Sequence, residues 1–176
     1  GDIADHGKSG EYKEAMNIIM GVENAPTLHM AIGNHDWRTG NPDGQFQKYA
    51  NWFNPAVQPE HVYYDEWING YHYIYLGGEA TGDMAYLSNE QLNWFEGLLA
   101  EDAEKYPDQP VFVFLHQGLQ DSMAGNYAGQ WGYTHGVGQE GRMRNILSKY
   151  GQVIMFGGHT HYELDTDNSV TLGTDE

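Results

Sequence analysis

The sequence predicts an α/β fold of the mixed α+β kind, organised as one domain over residues 1–176. Three observations carry this. Apolar runs of strand length at 27–32, 111–115 and 152–156 alternate with stretches of helical periodicity. Two aromatic, β-prone runs meet at Asn69-Gly70, a pair that tolerates positive φ at both positions and marks a tight hairpin. Polar residues able to bind a metal stand at the exits of the apolar runs, the edge where ligands bind in open α/β sheets.

The elements follow in order. Residues 1–7 form a loop in which Asp2, Asp5 and His6 are bracketed by glycines. Tyr12, Ala15, Met16, Ile19 and Met20 recur at helical spacing and predict a helix over 11–22 with one buried face. Ala25-Pro26 breaks it, and residues 27–32 read as a buried strand leading into Gly33-Asn34-His35-Asp36. A glycine at that exit lets the backbone turn sharply and approach a ligand. A turn-rich stretch at 37–44 precedes a short helix over 45–53, ended by Asn54-Pro55.

The hairpin strands occupy 61–67 and 71–76, where His61 and His72 are read as strand decoration and not as ligands. Ser88 with Gln91 predicts a capping box for a helix whose stripe is Leu92, Phe95, Leu98, Leu99 and Ala103. The continuous apolar run 111–115, expected to be covered on both faces, ends on His116. A long loop over 117–138 is rich in Gly, Asn, Tyr and Trp, and loops of that length are usually functional. His135 and Tyr133 are its candidate substrate contacts. A helix over 139–150 and a third buried strand over 152–156 lead to Gly157-Gly158-His159-Thr160-His161. A last hairpin is expected at 162–164 and 170–172, cut off at Glu176.

Composition narrows the function. With 40% hydrophobic and 14% aromatic residues the chain is globular, not disordered. No apolar run approaches the roughly 20 residues of a membrane helix. The net charge of −17, from 25 acidic against 8 basic residues, disfavours nucleic-acid polymers as partners and therefore a nuclease. Phosphate can still be bound where cations reverse the local sign. Without cysteine there are no disulfides or thiolate ligands, so a metal site must use His, Asp, Glu and Asn, a set suited to Mn, Zn, Fe, Ni or Co. The aromatic-rich, cysteine-free composition leans toward an extracellular or cell-envelope bacterial protein.

Collected, the loops at the strand exits carry Asp2, Asn34-His35, His116 and His159-x-His161. Two histidines one residue apart in an irregular loop can be aimed at two adjacent metals, and a carboxylate can bridge them. That chemistry suits in-line displacement at phosphorus. The order Gly-Asp-x-x-Asp-x-Gly, Gly-Asn-His-Asp, His, Gly-His-x-His, spanning Gly1 to His161, resembles the calcineurin-like metallophosphoesterase superfamily. Residues 88–117, with Trp94 on the helix and the strand into His116, resemble its bacterial members.

The resemblance implies a four-layer sandwich, two mixed β-sheets flanked by helices, and a pair of divalent or trivalent cations. Asp2 would bridge them, Asn34, His116 and His159 would hold the second, and His161 would bind the first. His35 matches the catalytic acid and Asp5 the residue that pairs with it, while Asp36 has no settled role. His6 stands where some members carry a phosphate-binding arginine. The implied reaction is hydrolysis of a small-molecule phosphomonoester or phosphodiester, by a hydroxide generated at the cations. The family's Asp-x-His motif is expected upstream of Gly1, and without it the first cation would be held poorly and turnover would be low. The alternative is a binding or cell-surface module that keeps the fold without the chemistry. The sequence says nothing of oligomeric state.

Overall fold

The computed structural model describes residues 1–36, 38, 40, 42–54, 60–163, 165, 170 and 171, with the backbone alone at 42, 43 and 45. The helices are α1 (Ser9–Met20), α2 (Pro42–Phe53), α3 (Asn89–Lys105) and α4 (Glu140–Leu147). The strands are β1 (Tyr64–Ile68), β2 (Tyr71–Tyr75), β3 (Val111–Phe114) and β4 (Val153–Phe156). They form one mixed sheet in the order β1-β2-β3-β4. β1 and β2 pair antiparallel, and β2, β3 and β4 run parallel. The fold is thus α/β with a mixed sheet; among the described residues a second sheet is not seen.

The hairpin forms where its turn chemistry predicts, with Asn69 at φ 52° and Gly70 at φ 85°. Its return strand sends Ile74 into a core with Leu92, Phe95 and Leu99 of α3 and Met143 and Ile146 of α4. Val111 and Val113 of β3 point into the same core. The opposite face carries Tyr73, Phe112, Phe114 and Phe156, stacked ring on ring across three strands. A second core gathers Ala4, Tyr12, Met30, Ile32, Tyr49, Phe53 and Tyr64 beneath α1 and α2. There Tyr12 stacks on Tyr49 with ring centroids 3.7 Å apart.

Sequence expectations are corrected at several elements. Residues 27–32 form no strand; Met30 and Ile32 are buried, but the Met30 carbonyl accepts the Tyr64 hydroxyl at 2.9 Å in place of a ladder bond. The run 111–115 buries Val111, Val113 and Leu115 on one face and half-buries Phe112 and Phe114 on the other, with Phe114 against the second core, while 152–156 is less buried than expected. β4 alternates, with Ile154 45% and Phe156 46% exposed, because α3 and α4 cover only one side. α1 starts at Ser9; Tyr12 is buried and Ala15, Met16 and Ile19 lie half-buried on the second core, but Met20 of the expected stripe is exposed. Only half of the capping box forms: Ser88 caps Gln91 N–H at 3.1 Å, but the Gln91 amide is bonded to Gly77 and Glu79. The α2 helix begins ahead of the expected 45. The turn residues Trp37, Thr39 and Asn41 and the Pro55 helix stop lie outside the described residues, as do residues 164 and 172 of the expected last hairpin, whose described residues 162, 163, 170 and 171 form no strand.

His72, read from sequence as decoration, is 3% exposed and clamped between two carboxylates. Its Nδ1 lies 2.6 Å from Asp102 on α3 and its Nε2 3.0 Å from Asp65 on β1, with Trp67 stacked on the ring. Burial alone would lower its pKa, but the hydrogen bonds and charges of Asp65 and Asp102 outweigh it and raise the pKa above 6.5. A raised pKa means that the folded state holds the proton more tightly than the unfolded one. The stabilisation is therefore complete below about pH 6.5 and is lost as pH rises through the folded value. Urea denaturation should show a midpoint that falls across that window, and Asp65→Asn should shrink the fall. An equal pH dependence in the two proteins would contradict the clamp.

Candidate metal centre

The centre assembles where the parallel strands end. β3 runs out through Leu115 to His116, whose carbonyl accepts Gly158 N–H at 2.9 Å and so ties together the two loops that carry histidines. Asp2, His159 and His161 all adopt left-handed backbone, at φ 55°, 71° and 59°. For residues with a Cβ this costs of order 1–3 kcal/mol each and is tolerated where the surroundings over-determine it. Here the loops are locked from below.

Asp36 is the lock. It is 1% exposed, and its carboxylate accepts four hydrogen bonds. Oδ2 takes Asp2 N–H at 2.7 Å and Gly33 N–H at 2.9 Å. Oδ1 takes Ala4 N–H and the Tyr12 hydroxyl, both at 2.9 Å. Burial and the Asp36 charge push the Tyr12 pKa up, which keeps its hydroxyl protonated as a donor. Gly33 allows the close approach of the two loops: a Cβ there would lie 2.1 Å from Asp2 Oδ1 and 2.4 Å from Asp2 N.

Held in this way, Asp2 Oδ1 accepts His35 N–H at 2.9 Å and Oδ2 lies 3.0 Å from His116 Nε2. His116 Nε2 is also 3.1 Å from His159 Nδ1. One ligand atom from each of Asp2, His116 and His159 falls within 4.8 Å of the others. Burial alone would raise the Asp2 pKa, but His116 and the His35 N–H lower it to about 2. Burial, then the neighbouring His116, pushes His159 down to about 4, so its ring is neutral and offers one nitrogen lone pair. Two buried atoms, Asn34 Oδ1 and His159 Nε2, have no hydrogen-bond partner among the described residues. Packed acceptors, an anionic carboxylate and orphaned lone pairs form a donor set that fits a cation and is costly without one.

The remaining sequence candidates take distinct places. His161 is exposed and stands outside the three-residue cluster. His35 Nδ1 is 2.9 Å from the Asp5 carbonyl and 3.0 Å from its Oδ1, so Asp5 holds this ring. His6 Nδ1 is turned onto Asp5 Oδ2 at 3.1 Å and Glu11 Oε1 at 3.4 Å. His135 stacks beneath Trp131 at 4.2 Å, and Trp131 in turn leans on His159 with centroids 4.8 Å apart. The long loop therefore does reach the centre, through a tryptophan.

Two residues at the site escaped the sequence reading. Asp83, in the loop after β2, accepts the Asn34 amide N–H at 3.1 Å and so turns the Asn34 oxygen away from itself. Arg38 reaches the His35 ring with Nη2 2.9 Å from Nε2. No motif marks either one. For Asp83 a usable signal was that the β2 exit lies at the same edge as the other parallel strand ends. Removing an outer-shell partner of this kind costs about 10–100-fold in metal affinity. We expect Asp83→Ala to weaken Zn²⁺ or Mn²⁺ binding by that factor in calorimetry, and an unchanged affinity would remove Asp83 from the site.

Fold and site define an α/β protein with a candidate metal centre, and the model of the calcineurin-like phosphoesterases matches residues 1–163. The chain belongs to that family, whose members are metal-dependent phosphoester hydrolases. It matches no curated protein.

Proposed function

We propose that the protein hydrolyses a phosphomonoester or phosphodiester of a small molecule at a two-cation centre, with His35 as the general acid. The observation that supports it most is the junction at Asp2: one carboxylate both faces His116 and His159 and accepts the backbone N–H of His35. A proton-transfer residue and a metal site are thereby fixed to one another. Asp2, Asn34, His116 and His159 would hold one cation, and Asp2 with His161 the other. The cations would neutralise phosphoryl charge and lower the pKa of water.

The residues of the chain divide the remaining work. Asp5 engages His35 Nδ1 through two oxygens, which leaves Nε2 as the ring atom able to hand a proton to the leaving alkoxide. Asp36 sets the loop that carries Asp2, and Asp83 sets the Asn34 amide. His135 and Trp131 wall one side, His135 as a substrate contact, while His6 lies beside Asp5. The acidic surface supports a small substrate over a nucleic-acid polymer. The Tyr-, Trp-, Asn- and Gly-rich composition favours an extracellular or cell-envelope setting.

The test is turnover of p-nitrophenyl phosphate and bis(p-nitrophenyl) phosphate by the Mn²⁺- or Zn²⁺-loaded protein. His35→Ala should lower kcat by about 10²–10⁴-fold with metal content unchanged. An unchanged rate would sink the acid assignment. One bound cation and no turnover of either ester would favour the silent binding module.

A further inference from the structure

We propose that Arg38 binds a phosphoryl oxygen of the substrate, which makes it the cation that recognises phosphate in this site. The inference rests on the phosphoesterase reading above and names a residue outside the family motifs. Its first support is placement. Nη2 is 2.9 Å from His35 Nε2 and Nη1 is 3.5 Å from the Asp5 carbonyl, so the guanidinium lies on the ring atom that faces the chemistry.

Its second support is what Arg38 lacks. Among the described residues it has no carboxylate partner, in a chain with 25 acidic residues. Lys105, Arg144 and Lys149 pair with Glu101, Glu140 and Glu96, and the Arg142 guanidinium is taken up by the side-chain oxygens of Asn89 and Asn93. An exposed guanidinium resting on an imidazole and a carbonyl has donors left over. Those donors are arranged as a fork that matches two oxygens of a phosphoryl group.

The third support is elimination within the loop. His6, at the position where a phosphate contact was expected, faces Asp5 and Glu11, whose carboxylates would repel a phosphoryl anion. Arg38 supplies the positive charge that His6 does not. Moving Nη2 from His35 Nε2 to a phosphoryl oxygen exchanges a neutral acceptor for an anionic one. It also uncovers Nε2, which takes up a proton from solvent before it can give one to the leaving group. Recognition of the phosphoryl group and exposure of the acid are then one movement.

The experiment compares wild type, Arg38→Ala and Arg38→Lys in the Mn²⁺-loaded protein, with metal content and thermal midpoint checked for each. Loss of a charge-assisted hydrogen bond predicts an Arg38→Ala rise in KM for p-nitrophenyl phosphate of about 10–100-fold, with part recovered by lysine. Competitive inhibition by inorganic phosphate should weaken by the same factor. A fall in kcat at unchanged KM would make Arg38 a positioning residue for His35 and would overturn the proposal. If no ester is turned over, calorimetric titration of inorganic phosphate into the same proteins still decides. Binding weakened about tenfold or more in Arg38→Ala supports it. Equal affinities, or no phosphate binding to either protein, overturn it.

Discussion

Asp36→Ala should destabilise the fold by roughly 3–5 kcal/mol and abolish tight metal binding. The carboxylate is buried and accepts from three backbone N–H groups and one tyrosine hydroxyl, contributed by four different residues. Alanine leaves the three backbone N–H groups facing a void, while the Tyr12 hydroxyl keeps the Asp36 carbonyl at 2.7 Å. Each buried donor left unsatisfied costs about 1–3 kcal/mol before relaxation. The second consequence is local. Asp2 sits at φ 55° because its N–H is pinned by Asp36, and release lets it relax away from His116. Asp36→Asn should fall between, since an amide keeps one acceptor but turns N–H groups toward other donors. Urea denaturation and metal titration of the two variants check this. A loss under about 1 kcal/mol for alanine would show that Asp36 is not the lock.

The second large effect is expected at Gly33. A methyl group there would lie 2.1 Å from Asp2 Oδ1 and 2.4 Å from its backbone nitrogen, distances that no side-chain rotation relieves. Gly33→Ala should therefore push the Asp2 loop off the sheet exit, costing about 1–3 kcal/mol of stability. Metal affinity should fall by ~100-fold, the upper end for disturbing a ligand's support. Gly141→Ala is the control. It lies in α4 with nothing within 4 Å of its added Cβ, so it should leave metal binding unchanged and raise stability by about 0.5–1 kcal/mol. Metal affinity preserved in Gly33→Ala would mean that the loop has more room than its geometry shows.

Much of the site was legible because its ligands are tied to backbone punctuation. A histidine following an apolar run announces a strand exit, as His116 does just beyond β3. The hairpin was legible for the same reason, since Asn69 and Gly70 carry their turn preference locally. What failed was long-range. Residues 27–32 have the composition of a strand but no ladder, because pairing depends on a neighbour and not on composition. β4 looked doubly buried, yet hydrophobicity cannot tell an aromatic face stacked within its own sheet from one covered by helices. Asp36 was set aside at the motif because its four partners come from positions 2, 4, 12 and 33, which only the fold brings together. Asp83 and Arg38 act through Asn34 and His35, so their signal lies in contacts and not in spacing.

The central claim is that Asp2, His116 and His159, with the Asn34 oxygen, bind a metal ion. Crystals of the protein grown with Zn²⁺ and measured on either side of the zinc absorption edge test it directly. The account predicts an anomalous peak about 2.0–2.2 Å from a ring nitrogen of His116, a ring nitrogen of His159 and a carboxylate oxygen of Asp2. It also predicts that the Asn34 amide keeps its N–H on Asp83. Zinc found only on surface carboxylates, with Asp2 still bonded directly to His116, would contradict it.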